Sequence, residues 1–207
     1  MIILGLTGSI GMGKTTAAGM LRYLGLPVYD SDAAVHRLLG QGGRAVAAIG
    51  KAFPGVVEDG AVNRKALGER VFGDPEALKN LEAIVHPLVR EVQESFLKRA
   101  AARREKIVVL DVPLLFETDG DDVCDAVIVV SAPRFLQEAR VLARGGMTRE
   151  RLAAVLARQL SDSEKRHRAD FVVPSGLGRA LTLRRLKEIV TLFRPDKAVS
   201  QAPFYKN

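Results

Sequence analysis

Four short stretches of the chain are apolar at nearly every position: Ile2-Ile3-Leu4-Gly5-Leu6, Ile107-Val108-Val109-Leu110, Ala126 to Val130, and Phe171-Val172-Val173. Unbroken runs of this length predict strands of a parallel sheet that is covered on both faces. Leu26-Pro27-Val28-Tyr29 adds a fifth, second in chain order. Elsewhere the apolar positions recur at three and four. Ala17, Met20, Leu21 and Leu24 predict a helix from Thr15 to Leu24, and Ala33 to Leu39 gives the next. From about Gly42 to Glu105 the pattern is mainly helical. It reads as a helix from Gly43 to Phe53 closed by Phe53-Pro54-Gly55, then a loop or small hairpin around Asp59-Gly60 within Val56 to Val62. Asn63 can cap a helix from Arg64 to Phe72, and Asp74-Pro75-Glu76 starts another that His86-Pro87 is expected to break. Pro87 to Arg104 then forms a long amphipathic helix with Leu88, Val92, Phe96 and Leu97 on its apolar side. Roughly 65 mostly helical residues between two strands far exceed an ordinary crossover, so this segment is an insertion. Late in the chain, Pro133 opens a helix, Thr148 caps one through Leu160, and Ser161-Asp162-Ser163-Glu164 matches a capping box. A last helix covers Ala180 to Phe193, and the tail from Arg194 to Asn207, with Pro195 and Pro203, is expected to be loose.

The turn after the first strand carries the most specific chemistry. Gly8-Ser9-Ile10-Gly11-Met12-Gly13-Lys14-Thr15 fits G-x-x-x-x-G-K-[ST] at every fixed position, between a predicted strand and a predicted helix. Glycines let the backbone curl so that successive N–H groups point at a phosphate, and the helix N-terminus adds a favourable dipole. Lys14 would meet the β- and γ-phosphates and the Thr15 hydroxyl would ligate Mg²⁺. The bland alternative is an ordinary glycine-rich turn, which the complete motif in the right context argues against. Gly8, Gly11, Met12, Gly13, Lys14, Thr15 and Thr16 are therefore the expected nucleotide contacts.

The fold class that follows is α/β: a P-loop nucleoside triphosphate hydrolase fold with a five-stranded parallel sheet flanked by helices. At 207 residues there is room for one domain with an insertion. The expected organisation is a nucleotide-binding core over 1–38, 106–132 and 169–193, a helical substrate-binding insertion over 39–105, a lid over 133–168 and a tail over 194–207.

Charge and composition narrow the partners. The net charge is +7, and between Pro133 and Arg168 nine Arg or Lys stand against four Asp or Glu, so the surplus concentrates in one segment. Aromatic residues are 5 % with no Trp, and none interleave with the basic residues as a stacking platform for a polynucleotide would require. A polyphosphate small molecule fits this pattern better than a nucleic acid does. Ile2 to Leu6 is too short for a signal h-region and lacks a basic flank, and no apolar run approaches a membrane span. The single Cys124 cannot form an internal disulfide, which fits a reducing cytoplasm, and it reads as a small inert residue leading into a strand. No obligate protein partner is evident.

Several side chains are placed to act on a bound triphosphate. Asp30-Ser31-Asp32 follows the second strand at the sheet edge where ligands bind in open α/β folds. One aspartate can cap the following helix; the other can accept the proton of an attacking hydroxyl, and Asp32 is the first choice for that role. Asp111 ends the third strand at the position that holds Mg²⁺ or its water. Leu115 and Phe116, in Pro113-Leu114-Leu115-Phe116-Glu117, are either core or the wall of a pocket. Gln137, Arg140 and Arg144 are spaced to share one helix face that could meet an anion, the alternative being a solvated basic face. Gly145-Gly146 is a hinge candidate for a lid that closes on phosphates and excludes water. His86 is either structural or a substrate contact.

Taken together these motifs resemble the dephospho-CoA kinase family over nearly the whole chain. The specific marks are Asp30-Ser31-Asp32, Phe53 with Asp59-Gly60 and Arg64, His86-Pro87, and Asp111-Val112-Pro113-Leu114-Leu115-Phe116-Glu117. Pro133, Gln137, Arg140 and Arg144, then Gln159 and Ala169-Asp170, complete the pattern. The resemblance implies transfer of the ATP γ-phosphoryl group to the ribose 3′-hydroxyl of dephospho-CoA, with Mg²⁺. It implies Asp32 as base, Lys14 and Arg140 as stabilisers of the transferring group, and the helical insertion and the Pro113–Glu117 loop as holding dephospho-CoA; with it, Arg144 is expected on the nucleotide and Asp30, Arg64, His86, Leu115 and Phe116 on the substrate side. Where the family has Asn before a small residue and Gly, this chain has Pro174-Ser175-Gly176, so any contact that Asn makes must be made differently. The nearest rival is another small-molecule kinase of the shikimate or nucleotide kinase type. The shikimate type carries a triple glycine after the third strand, where Asp111-Val112-Pro113 stands here. A GTPase switch would need Asn-Lys-x-Asp and Asp-x-x-Gly, and neither string occurs.

Overall fold

The structure is a computed structural model and describes residues 1–194; the expected tail with Pro195 and Pro203 lies outside the described residues. In chain order the elements are β1 (Ile2–Thr7), α1 (Lys14–Tyr23), β2 (Val28–Asp30), α2 (Ser31–Leu39), α3 (Val46–Ala52), β3 (Val57–Glu58), β4 (Ala61–Val62), α4 (Arg64–Val71) and α5 (Pro75–Ala102). They continue as β5 (Ile107–Asp111), β6 (Ala126–Ser131), α6 (Arg134–Leu142), α7 (Arg149–Leu156), α8 (Asp162–Arg168), β7 (Phe171–Pro174) and α9 (Arg179–Leu192). Five strands form one parallel sheet in the order β2-β5-β1-β6-β7. β1 pairs with β6 from Leu4 opposite Ala126 to Thr7 opposite Val129, and β6 pairs with β7 from Ile128 opposite Phe171 onward. No helix among the described residues is long and apolar enough to cross a membrane.

The described residues divide into two compact units: 1–28, 105–109 and 113–194 form the first, and 29–104 with 110–112 form the second. The central strands of the first unit are buried on both faces, and the residues of one face, at a period of two, join a single cluster. Leu4 and Leu6, Ile107 and Val109, Ile128 and Val130, and Val173 join Ala17, Ala18 and Leu21 of α1 and Leu186, Ile189 and Val190 of α9 in one apolar cluster. Cys124 lies just before β6, and a Cβ on Gly5 would stand 3.0 Å from its sulfur. Burial, reinforced by Asp121 and Asp125, pushes its thiol up to about 12. It stays protonated at neutral pH, in keeping with an inert role.

The second unit is built on α5, against which α2, α3 and α4 pack. Its core holds Leu38, Leu39, Ala45, Ile49, Phe53, Val56, Val62, Leu67 and Val85. The stretch around Asp59-Gly60 is a hairpin of β3 and β4, Val57 opposite Val62, with Asp59 at φ 49° and Gly60 at φ 75°. Both turn residues are left-handed, as a two-residue turn that follows the strand twist demands. Asn63 and Asp74 cap α4 and α5 through their side-chain oxygens, as their positions suggest. Tyr29 donates its hydroxyl to the Val89 carbonyl at 3.3 Å, and burial, opposed by Arg37 and reinforced by Asp30, raises it to about 12.

Three expected boundaries are corrected. The helix expected from Gly43 begins only at Val46, because Gly43 is used in a turn, its N–H on the Gly40 carbonyl. The helix capped by Thr148 ends at Leu156, where Arg158 and Gln159 turn their N–H groups to the carbonyls of Val155 and Leu156, a tightening that closes the last turn. The expected break at His86-Pro87 does not occur: α5 runs through it for 28 residues with Pro87 inside. The reason is the apolar stripe. Leu81, Ile84, Val85, Leu88, Val89 and Val92 keep one helical period across Pro87, all against the core of the second unit, and that burial outweighs one lost hydrogen bond. Pro87 itself is exposed. Pro87→Ala is therefore expected to raise stability by about 1–3 kcal/mol, seen as a melting temperature several degrees higher. No gain in thermal unfolding would mean that the ring fits the helix without cost.

Candidate active site

The P-loop between β1 and α1 is held from behind by side chains. Three successive carbonyls each accept a hydrogen bond: Ile10 from Gln137 Nε2 at 2.8 Å, Gly11 from Arg140 Nη1 at 3.3 Å, and Met12 from the Ser175 hydroxyl at 2.5 Å. A peptide's C=O and the following N–H point opposite ways, so this anchoring turns the N–H groups of Gly11 and Gly13 to the other side, where an anion can sit. The Ile10 N–H is taken by Gln159 Oε1 at 3.1 Å. Gly11 at φ 79° and Gly13 at φ 92° hold conformations that side chains resist. A Cβ on Gly11 would lie 2.6 Å from Val141, and one on Gly13 3.1 Å from the Ser175 hydroxyl. At Gly8 a Cβ would meet the Val130 carbonyl at 2.6 Å, so that position too needs close backbone approach. Met12 is buried with its sulfur accepting from the Ala132 N–H at 3.2 Å. Lys14 begins α1 half-buried, while Thr15 and Thr16 are exposed. Thr15 and Thr16 also line an open groove of about 600 Å³ with Gly19, Met20, Tyr23, Arg179, Ala180 and Leu183.

The arginines expected on one face separate. Gln137 is buried on α6 and Arg140 is half-buried beside it, but α6 ends at Leu142, so Arg144 lies past the helix and is exposed. Arg140 is locked: Nη1 donates to the Ser175 hydroxyl at 3.0 Å and Nη2 to the Ser175 carbonyl at 2.8 Å, besides the Gly11 carbonyl. Ser175, the small residue that follows Pro174 where the resemblance expects Asn, is thus a strut between Arg140 and Met12. Its only sequence signal was its place beside that departure from the family pattern.

In the second unit, Asp30 ends β2 and caps α2, its Oδ1 accepting from the Ala33 N–H at 2.9 Å. That settles which of the two aspartates does the capping. Asp32, the second residue of α2, is exposed and takes no part in the cap. Arg64 opens α4 and donates from Nη1 to His36 Nδ1 at 3.2 Å. A guanidinium only donates, so the His36 ring accepts at Nδ1 and carries its hydrogen on Nε2. His36 lies one helical turn beyond Asp32, on the same face of α2. That i, i+4 spacing was the signal by which sequence reasoning could have found it. His86 is exposed within α5, away from any helix boundary.

Asp111, at the end of β5, is 3 % exposed. Its carboxylate is a hard oxygen donor of the kind Mg²⁺ takes. Among the described residues no group of three or more His, Cys, Asp or Glu could hold a metal ion by itself. Leu115 and Phe116 correct the pocket-wall expectation: they are 1 % and 3 % exposed, so the core reading is the one the structure supports. Leu115 packs where a Cβ on Gly5 would stand, and the Phe116 ring lies 4.5 Å below the Arg168 guanidinium. Sequence reasoning also missed Lys165, a fully buried cation on α8 paired with Glu117.

Comparison with known proteins gives a consistent result. Residues 2–177 match the family described as dephospho-CoA kinase. A Paramagnetospirillum magneticum protein named dephospho-CoA kinase is 61 % identical, covering 99 % of this chain and 100 % of its own length. One from Brucella melitensis is 54 % identical over 92 % of this chain and 94 % of its own. Among solved structures, a Thermus thermophilus protein superposes with a TM-score of 0.83 at 38 % identity, covering 92 % of this chain and 96 % of its own. A Campylobacter jejuni dephospho-CoA kinase does so at 0.63 and 25 %, with the same coverage. An Acinetobacter baumannii shikimate kinase, at 0.55 and 16 % identity, shares the fold.

Proposed function

The chain belongs to the dephospho-CoA kinase family and is a kinase that phosphorylates dephospho-CoA with ATP in coenzyme A biosynthesis, and we propose that its acceptor is the ribose 3′-hydroxyl, with Asp32 as the base. The observation that carries the residue-level reading is the division of labour between two aspartates. Asp30 is committed to the α2 cap, which leaves Asp32 exposed with its carboxylate available for the acceptor proton. In this reading the Gly11–Gly13 backbone and Lys14 hold the β- and γ-phosphates. Arg140 has five N–H donors, three of them used on Gly11 and Ser175. In the same reading the remaining two serve the charge that builds on the transferred group. Thr15 and Asp111 would hold Mg²⁺, which when bound neutralises charge on the β- and γ-oxygens. Thr16, Met12, Gly8 and Arg144 complete the nucleotide side. Arg64 and His86, both exposed on the second unit, take the anionic dephospho-CoA. A kinase of this pathway with one inert thiol belongs in the cytoplasm, with ATP and dephospho-CoA as its small-molecule partners and no nucleic acid.

Incubation with ATP, Mg²⁺ and, in turn, dephospho-CoA, shikimate and adenosine tests the reading through ADP release. ADP is expected with dephospho-CoA alone, and phosphorus–proton coupling in the NMR spectrum of the product should place the phosphate on the 3′-oxygen. No turnover of dephospho-CoA sinks the proposal.

A further inference from the structure

α8 spans seven residues and ends in Lys165, Arg166, His167 and Arg168, yet only Lys165 is turned inward, with no exposed surface. Its ammonium has three hydrogens and meets three oxygens: Glu117 Oε1 at 2.8 Å, Glu117 Oε2 at 3.2 Å and the Pro113 carbonyl at 3.1 Å. A buried ion pair is a poor stability device, since apolar residues of the same volume often serve as well or better. What such a pair does supply is direction, and both of its acceptors lead onward. Glu117 Oε1 also accepts from the Leu160 N–H at 2.8 Å. Leu160 is chain neighbour to Gln159, whose Oε1 takes the Ile10 N–H in the P-loop. The Pro113 carbonyl also accepts from the Thr7 hydroxyl at 3.0 Å, on the residue just before Gly8. Two lines therefore run from one ammonium to the two ends of the first P-loop turn.

Resting on the reading of this chain as a P-loop kinase, we propose that Lys165 is a positioning residue for phosphoryl transfer, acting through Glu117 and Gln159 on the backbone of Ile10. Without the ammonium, Glu117 carries a charge in a site where its side chain is only 14 % exposed. It must turn to water, and the Leu160 N–H loses its acceptor. Gln159 then loses its fixed origin, and the P-loop rests on Gln137, Arg140 and Ser175 alone. ATP still binds, because most cradle contacts persist, but the γ-phosphoryl group is no longer held in line. A misplacement of about 1 Å is enough to cost about 10²-fold in rate.

Lys165→Met, Lys165→Met with Glu117→Leu, and Gln159→Leu separate this role from a merely structural one. Melting temperature, kcat and the KM for ATP are read for each beside the wild type. Lys165→Met is expected to lower both melting temperature and kcat. The double variant, with an apolar pair in place of the ions, is expected to recover the melting temperature while kcat stays about 30- to 100-fold down. Gln159→Leu should keep the wild-type melting temperature and reproduce the fall in kcat, with the KM for ATP within about threefold. Recovery of kcat together with stability in the double variant overturns the proposal, as does near-normal kcat in Gln159→Leu, which decides the matter alone if neither Lys165 variant folds. A wild-type protein that does not turn over dephospho-CoA strikes the proposed function instead, so the two failures are distinct.

Discussion

Replacing Asp32 with asparagine is expected to lower kcat for dephospho-CoA phosphorylation by about 10²- to 10⁴-fold, with ATP affinity within about twofold of wild type. The substitution is nearly isosteric and removes only the carboxylate proposed as the proton acceptor. Asp32 is exposed, and α2 is capped by Asp30, so the fold has little stake in the change. What the helix loses is one favourable charge in its first turn, worth about 0.3–1 kcal/mol. Steady-state kinetics and calorimetric titration with ATP measure the two halves of the prediction. The matched control is Asp30→Asn. Asparagine caps helices as well as aspartate does, so this variant keeps the start of α2 in place while altering the neighbouring carboxylate. A larger loss in Asp30→Asn than in Asp32→Asn would move the base from Asp32 to Asp30.

How much of this site was readable beforehand depended on whether the signal was local. The P-loop was legible because its chemistry is fixed by neighbours in sequence: Gly11 and Gly13 at positive φ, Lys14 and Thr15 at the start of a helix. The strands were legible because both faces are apolar, and Asn63, Asp74, Thr148 and Ser161 were legible because a cap is a three-residue event. Pro87 misled because its local cost is visible in the sequence, whereas the burial that overrides it belongs to the packing of α5 in the second unit. Leu115 and Phe116 had two readings because composition does not say whether an apolar loop faces inward. Ser175 and Lys165 were out of reach for a different reason. Their partners, Met12 and Arg140 for one and Glu117 for the other, lie 35 to 163 residues away, so nothing nearby marks them. Lys165 in particular sits among four basic residues and looks like surface charge.

Arg140→Ala is expected to reduce kcat by about 10²- to 10³-fold, the usual cost of removing one preorganised donor aimed at developing charge. The structure adds a second reason for the loss. Arg140 bridges the Gly11 carbonyl to both the hydroxyl and the carbonyl of Ser175, and Ser175 in turn holds Met12. Truncation therefore removes a charge and loosens two successive peptides of the cradle at once. Arg140→Lys separates the two effects. A lysine keeps the positive charge but is a point donor without the planar fork, and it cannot span three acceptors in the same geometry. If charge alone matters, the lysine variant should approach wild-type activity. The bridging geometry leads us to expect the opposite, with recovery of no more than about tenfold over alanine and a KM for ATP raised in both variants. Full activity in Arg140→Ala would return α6 to an ordinary basic surface and leave Lys14 as the remaining cation on the transferring group.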